Sequence, residues 1–99
     1  MSEQQQSGQQ PQINPLILNV VVKSPDYTHF NGPATGVTSH NHTGRFDVLA
    51  LHASFITLIQ EGIVIYKPNK QQVSIKIKKG VMKVFKNNVQ VFIGIEIKE

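Results

Sequence analysis

Apolar residues recur with a period of two through most of this 99-residue chain, and no stretch carries the 3.6-residue period of a helix. The pattern is strict in Val73-Ser74-Ile75-Lys76-Ile77-Lys78, where Val73, Ile75 and Ile77 share one face and Ser74, Lys76 and Lys78 the other. Successive strand side chains point to opposite sides, so such a segment is a strand with one face on a core and one in water. Leu16, Leu18, Val20 and Val22 share a parity in the same way, which predicts a first strand ended by Ser24-Pro25-Asp26. Val89, Val91, Ile93, Ile95 and Ile97 repeat it near the other end. Val20, Ile75, Ile77, Val91 and Ile93 are therefore expected in the core.

Turn signals divide the rest. Thr28 to Ser39 holds Gly32, Pro33 and Gly36, which suits a bent strand with a bulge. His40 to Gly44 reads as a loop, after which Phe46, Val48 and Leu49 resume an apolar pattern. Gln60-Glu61-Gly62 reads as a turn between Phe55 to Ile59 and Ile63 to Lys67, and Pro68-Asn69-Lys70 as the next connection. Gly80 breaks the strict run, and Asn87-Asn88 can take the positive φ angles of a tight hairpin. Short strands at turn-to-turn spacings of eight to twelve residues predict an all-β fold, an antiparallel β-sandwich or flattened barrel. Its size allows one hydrophobic core and so a single domain, 15–99. Met1 to Asn14 is Gln-rich with almost no apolar surface to offset ordering, and is expected to be a disordered tail, 1–14.

The same residues narrow the chemistry. With no cysteine, there is no disulfide framework and no thiolate ligand or nucleophile. No run of eighteen apolar residues and no signal-like N-terminus is present, so a cytoplasmic location is expected unless a partner anchors the chain. The formal net charge of +4 raises nucleic acid as a partner. Against it, the lysines fall at alternate strand positions or in turns, and Phe30, Phe46, Phe55, Phe85 and Phe92 lie in apolar contexts rather than on a stacking platform. His40 and His42, with His29 and His52 more distant, lack a third ligand at fixed spacing, so no metal is expected and the histidines read as solvated loop residues. Asp26, Asp47, Glu61 and Glu96 fall in different turns or strand ends, and Ser24, Ser39 and Ser54 stand in no strained elbow. No catalytic residue and no cofactor site is expected.

The order of short motifs is more specific than any one of them. Ser24-Pro25, Phe30-Asn31-Gly32, Thr43-Gly44-Arg45-Phe46, Val48-Leu49 and His52-Ala53 follow one another where a known family tends to show [TS]P, F-x-G, E-G-x-[FL]-G-[IV]-L-P-G-H and A-P-L-L. Lys79-Gly80-Val81-Met82-Lys83-Val84, Asn88-Val89-Gln90-Val91 and Gly94-Ile95-Glu96 continue the match, which spans about Leu16 to Ile97. The chain thus resembles the N-terminal β-domain of the epsilon subunit of F-type ATP synthases. The resemblance implies a two-sheet β-sandwich and a non-catalytic rotor role in proton-driven ATP synthesis, peripheral on the cytoplasmic face of the energy-transducing membrane. It implies two partners: the rotor ring (c-ring), faced by Thr43, Gly44 and Arg45, and the gamma subunit, faced by Ser24, His52, Phe55 and Ile56. Alternation makes at least one of Phe55 and Ile56 a core residue.

Arg45 departs from the family, which often places an acidic or neutral residue there facing basic ring loops. Asp47, Ala50 and Leu51 replace the glycine, proline and glycine of G-[IV]-L-P-G-H, so the turn before His52 is expected to differ in shape. Epsilon subunits usually continue into a C-terminal helical hairpin with inhibitory and nucleotide-sensing roles. This sequence stops at Glu99, about where the hairpin would begin, so those roles are not expected of it. Two rival readings remain: a stand-alone β-sandwich interaction module without synthase docking, and a metal-dependent enzyme resting on the histidines.

Overall fold

Inward-facing Val, Ile and Leu residues set the architecture, because each strand must bury its apolar parity against another layer. A computed structural model describes residues 17–94, which form eight strands and, among the described residues, no helix. The strands are β1 (Leu18–Ser24), β2 (Tyr27–Ala34), β3 (Gly36–Asn41), β4 (Gly44–Leu49), β5 (Phe55–Tyr66), β6 (Gln72–Ile75), β7 (Gly80–Phe85) and β8 (Asn88–Ile93). The expected tail, and the strand positions given to Leu16, Ile95 and Ile97, lie outside the described residues.

The hydrogen-bonded order is β2-β1-β8-β7-β5-β3-β4, with β6 also on β5. One layer holds β2, β1, β8, β7 and the first half of β5; the other holds β4, β3, the second half of β5 and β6. All pairs are antiparallel except β1 with β8, which run parallel. The path begins at β2 and ends at β4 without joining them, so the strands form an open sandwich and not a closed barrel.

Gln60-Glu61-Gly62 is not the turn that its composition suggests. β5 runs unbroken through it, and the partner strand β3 shows why: Ser39 pairs with Ile63 but His40 pairs with Gln60, so Glu61 and Gly62 are looped out as a bulge. Glu61 and Gly62 take φ of 73° and 152°, and a Cβ on Gly62 would sit 2.9 Å from the Ile75 carbonyl oxygen. That kink redirects β5 from one layer to the other. A bulge and a turn need the same glycine, and only the pairing partner separates them.

The inner faces of the two layers meet in one core. Leu18, Val20, Val22, Ile59, Met82, Val84, Val89 and Val91 come from the first layer, and Val37, Val48, Ile63 and Ile65 from the second. Each fully buried aliphatic side chain stabilises the fold by roughly 1.5–3 kcal/mol relative to exposure. Phe46 closes on Phe55 edge to face across the layers, with ring centroids 6.0 Å apart. Of the five expected core residues, Val20, Ile77, Val91 and Ile93 are buried. Ile75 is only half-buried, because β6 is a four-residue edge strand with β5 as its one neighbour, and Ile77 reaches the core from beyond the strand's end.

Two loops differ from expectation by small shifts. His40 and Asn41 are strand residues, which narrows the loop before Gly44 to His42 and Thr43. The β7–β8 turn is made by Lys86 and Asn87, both at positive φ (48° and 64°), the twist of a two-residue hairpin, and Asn88 already begins β8. The bent segment is confirmed: His29 is unmatched between Val22↔Phe30 and Lys23↔Thr28, and the chain changes layers at Thr35.

Candidate functional site

The inner faces are filled, so what a partner can meet is the two outer faces and the loops that join them. On the first layer the register lines up outward residues in rows across the strands. Leu58, Val81, Phe92 and Lys23 form one row, Ile56, Lys83, Gln90 and Val21 the next, and Phe85, Asn88 and Asn19 a third. Ile56 is 68%, Leu58 71% and Phe85 51% exposed, high values for large apolar side chains. Their adjacency makes them a patch rather than scattered residues. An open groove of about 410 Å³ lies at one corner, lined by Ser54, Ile56, Lys83 and Phe85 among others. Another of about 250 Å³, between Lys23 and Phe92, lies at the opposite corner beside Ser24.

The second layer's outer face is more polar, and several of its groups pair with one another, although Leu49 is 60% exposed and the buried His40 Nδ1 has no hydrogen-bond partner. The Thr38 hydroxyl lies 2.6 Å from Asp47 Oδ1 and 3.2 Å from the Tyr66 hydroxyl, and Arg45 Nη2 lies 3.6 Å from the same Asp47 oxygen. Arg45 and Asp47 are both mostly exposed, so their pairing adds little stability and leaves the guanidinium able to reach a partner. Leu49 lies over Gly36, where a Cβ would come within 3.0 Å of its Cδ2.

The three residues assigned to the ring side are brought together at the β3–β4 hairpin. Asn41 Oδ1 accepts from the Thr43 amide (2.9 Å) and the Thr43 hydroxyl (2.7 Å), and its Nδ2 lies 3.2 Å from Thr57 Oγ1, which pins the hairpin tip to β5. Gly44 opens β4 at φ 120°, which a side chain would resist. Arg45 follows it, outward, opposite His40.

The four residues assigned to the gamma side are not gathered into one point. Phe55 turns inward onto Phe46, while Ile56 points out into the apolar patch, so alternation separates the two neighbours. His52 is exposed, stacks at 5.0 Å on Phe55 and has its Nδ1 2.8 Å from the Ala53 carbonyl. Ser24 lies at the far end of the same layer, with its hydroxyl 3.2 Å from His29 Nε2. The turn before His52, which lacks the family's proline and glycine, is held by Leu51 at φ 69° and by its amide donating to Asn87 Oδ1 at 2.6 Å.

Leu58, Val81, Phe85 and Phe92 were not singled out in the sequence as surface residues. Their signal is present in Phe55-Ile56-Thr57-Leu58-Ile59, where both parities are apolar although only one meets the core. A strand of that kind is covered on both sides or waits for a cover. Among the described residues no group of three or more His, Asp or Glu could hold a metal ion, and no helix is long and apolar enough to cross a membrane.

An open all-β sandwich that presents one apolar outer face, one more polar face and a pinned hairpin defines the class: a small β-sandwich domain. The family follows from comparison. Residues 17–94 match the family model described as ATP synthase, Delta/Epsilon chain, beta-sandwich domain, and the chain belongs to that family. It is 36% identical over 77 residues to an ATP synthase epsilon chain of Sulfurimonas denitrificans, covering 77% of this chain and 59% of the relative. With an epsilon chain of Synechococcus the identity is 28% over 79 residues, covering 80% and 57%. The chain thus spans somewhat under two thirds of the length of the relatives it matches. Among solved structures it is similar in fold to a chain of the Euglena gracilis mitochondrial ATP synthase (TM-score 0.76, 14% identity, covering 92% of this chain and 61% of that one). A chain of the Tetrahymena thermophila mitochondrial ATP synthase central stalk and c-ring gives a TM-score of 0.62 at 8% identity, covering 77% and 62%.

Proposed function

We propose that this chain is a non-catalytic central-stalk subunit of an F-type ATP synthase, docking on the gamma subunit and meeting the rotor ring at the β3–β4 hairpin. The observation that carries the reading is the exposed apolar patch around Ile56 and Leu58 on a domain of this family. Such a patch is costly to leave in water, and a stalk that transmits torque needs broad apolar contact to bear load. The names of the relatives and the central-stalk and c-ring assembly that holds one structural neighbour support the same role. In it, Ile56 and His52 face gamma, Ser24 lies at the margin of that surface, Phe55 supports it from the core side, and Thr43, Gly44 and Arg45 face the ring. The subunit is peripheral to the membrane, on the cytoplasmic side, and reaches it only through the complex.

Purified gamma subunit from the same cell, titrated against the chain, tests this reading. Binding in the micromolar range, weakened by replacing exposed His52 with Glu while the fold persists, is the expected result. No binding at tens of micromolar overturns it in favour of a stand-alone interaction module. For the ring, Arg45→Glu is expected to preserve or strengthen attachment to a basic ring loop, most visibly at low salt.

A further inference from the structure

Among the described residues the apolar patch is not rimmed by mixed charges. Its rows carry Lys83 between Ile56 and Gln90, and Lys23 beside Phe92, and Lys86 stands at the turn with Nζ 5.4 Å from the Phe85 ring centroid. Among the described residues no carboxylate falls in these rows: Asp26 is in the β1–β2 turn, Asp47 on the other layer and Glu61 in the β5 bulge. Lys23 and Lys83 have no ion-pair partner among the described residues. Both corner grooves repeat one chemistry, a phenylalanine beside a lysine: Phe85 with Lys83 and Phe92 with Lys23. Lys83 stands on β7 within the apolar rows, flanked by Ile56 on β5, and Lys23 stands on β1, two strand spacings of about 4.8 Å away, so roughly 10 Å separates them across the sheet.

Building on the docking role above, we infer that the partner segment seated on this face alternates aliphatic side chains, set over Ile56, Leu58 and Val81, with carboxylates positioned for Lys83 and Lys23. The occupant is a segment of the gamma subunit with that pattern. The aliphatic positions cover Ile56, Leu58 and Val81, which removes their apolar area from water. The carboxylates pair lysines that would otherwise lose hydration unpaired, and unpaired desolvated charge is the costlier outcome. Covering Phe85 also excludes water from the Lys86–Phe85 contact and so strengthens it. A second copy of the chain fits poorly, since a two-fold pairing sets this face against itself and so offers its lysines no carboxylate among the described residues.

The test uses the whole chain and purified gamma subunit, with Lys83→Glu, the double variant Lys23→Glu/Lys83→Glu, and Leu58→Ser. The inference expects Lys83→Glu to weaken gamma binding about tenfold, the double variant to weaken it further, and the wild-type affinity to fall as salt is raised from low to physiological levels more steeply than that of either variant. Leu58→Ser should weaken binding at all salt concentrations. Circular dichroism and thermal melting confirm that each variant is folded. If Leu58→Ser abolishes binding while both lysine variants bind like wild type, the acidic-segment inference is overturned and the gamma docking role stands. If gamma fails to bind the wild type at all, the docking role falls and this inference falls with it. If sedimentation shows a dimer that Leu58→Ser disrupts and gamma does not compete with, the face belongs to a second copy, and the inference is again overturned.

Discussion

The two outer faces of this sandwich are built from strands of similar length, yet one exposes a cluster of large apolar side chains and the other ties most of its polar groups to one another. On the second layer, Thr38, Asp47, Tyr66 and Arg45 meet one another, and Leu49, itself 60% exposed, lies over Gly36. On the first, Ile56 and Leu58 meet water, and the charges among them are lysines. Burial cannot explain the difference, since both layers bury their inner faces against the same core. The difference marks the face on which we propose a partner docks: the second layer ties most of its polar groups to one another, whereas the first exposes aliphatic side chains beside lysines that have no ion-pair partner among the described residues.

The largest effects should come from beneath both faces, where they share a core. Ile65→Ala and Met82→Ala, one on each layer and each fully buried, should each lose roughly 2–5 kcal/mol in chemical denaturation. A loss at only one site would mean that the layers do not share a cooperative core. Next is the bulge that lets β5 serve both layers. Gly62→Ala meets a positive φ and a close carbonyl oxygen, so a loss of about 1–3 kcal/mol is expected from the same measurement. An unchanged midpoint would show that the kink tolerates a side chain.

Smaller effects separate the two faces directly. Thr38→Val removes the hydroxyl that joins Asp47 to Tyr66, and should cost about 1 kcal/mol without altering partner binding. Leu58→Ser should change stability by no more than about 0.5 kcal/mol, because the side chain is already exposed, yet should weaken gamma binding. If the two results are exchanged, so that Thr38→Val impairs binding and Leu58→Ser destabilises the fold, the assignment of the two faces is reversed.

Much of this was legible from residue order alone. Period-two alternation decided that Leu18, Val20 and Val22 point inward together, as do Val89, Val91 and Ile93, because a strand's facing depends only on parity. Motif order from Ser24 to His52 pointed to the family that the comparison confirms. It also placed Thr43, Gly44 and Arg45 on one hairpin, since neighbours in a tight turn stay neighbours. Tertiary structure alone decided whether Gln60-Glu61-Gly62 turns the chain or kinks it, because β3 pairs with β5 on both sides of the bulge and that partner lies some twenty residues away. It alone decided that β1 and β8 pair in parallel, and that Ile75 is half-buried at an edge while Ile77 is buried beyond the strand. It also decided which apolar parity of Phe55 to Ile59 stays uncovered. Parity states that two faces exist; only the packing of the layers determines which of them stays exposed.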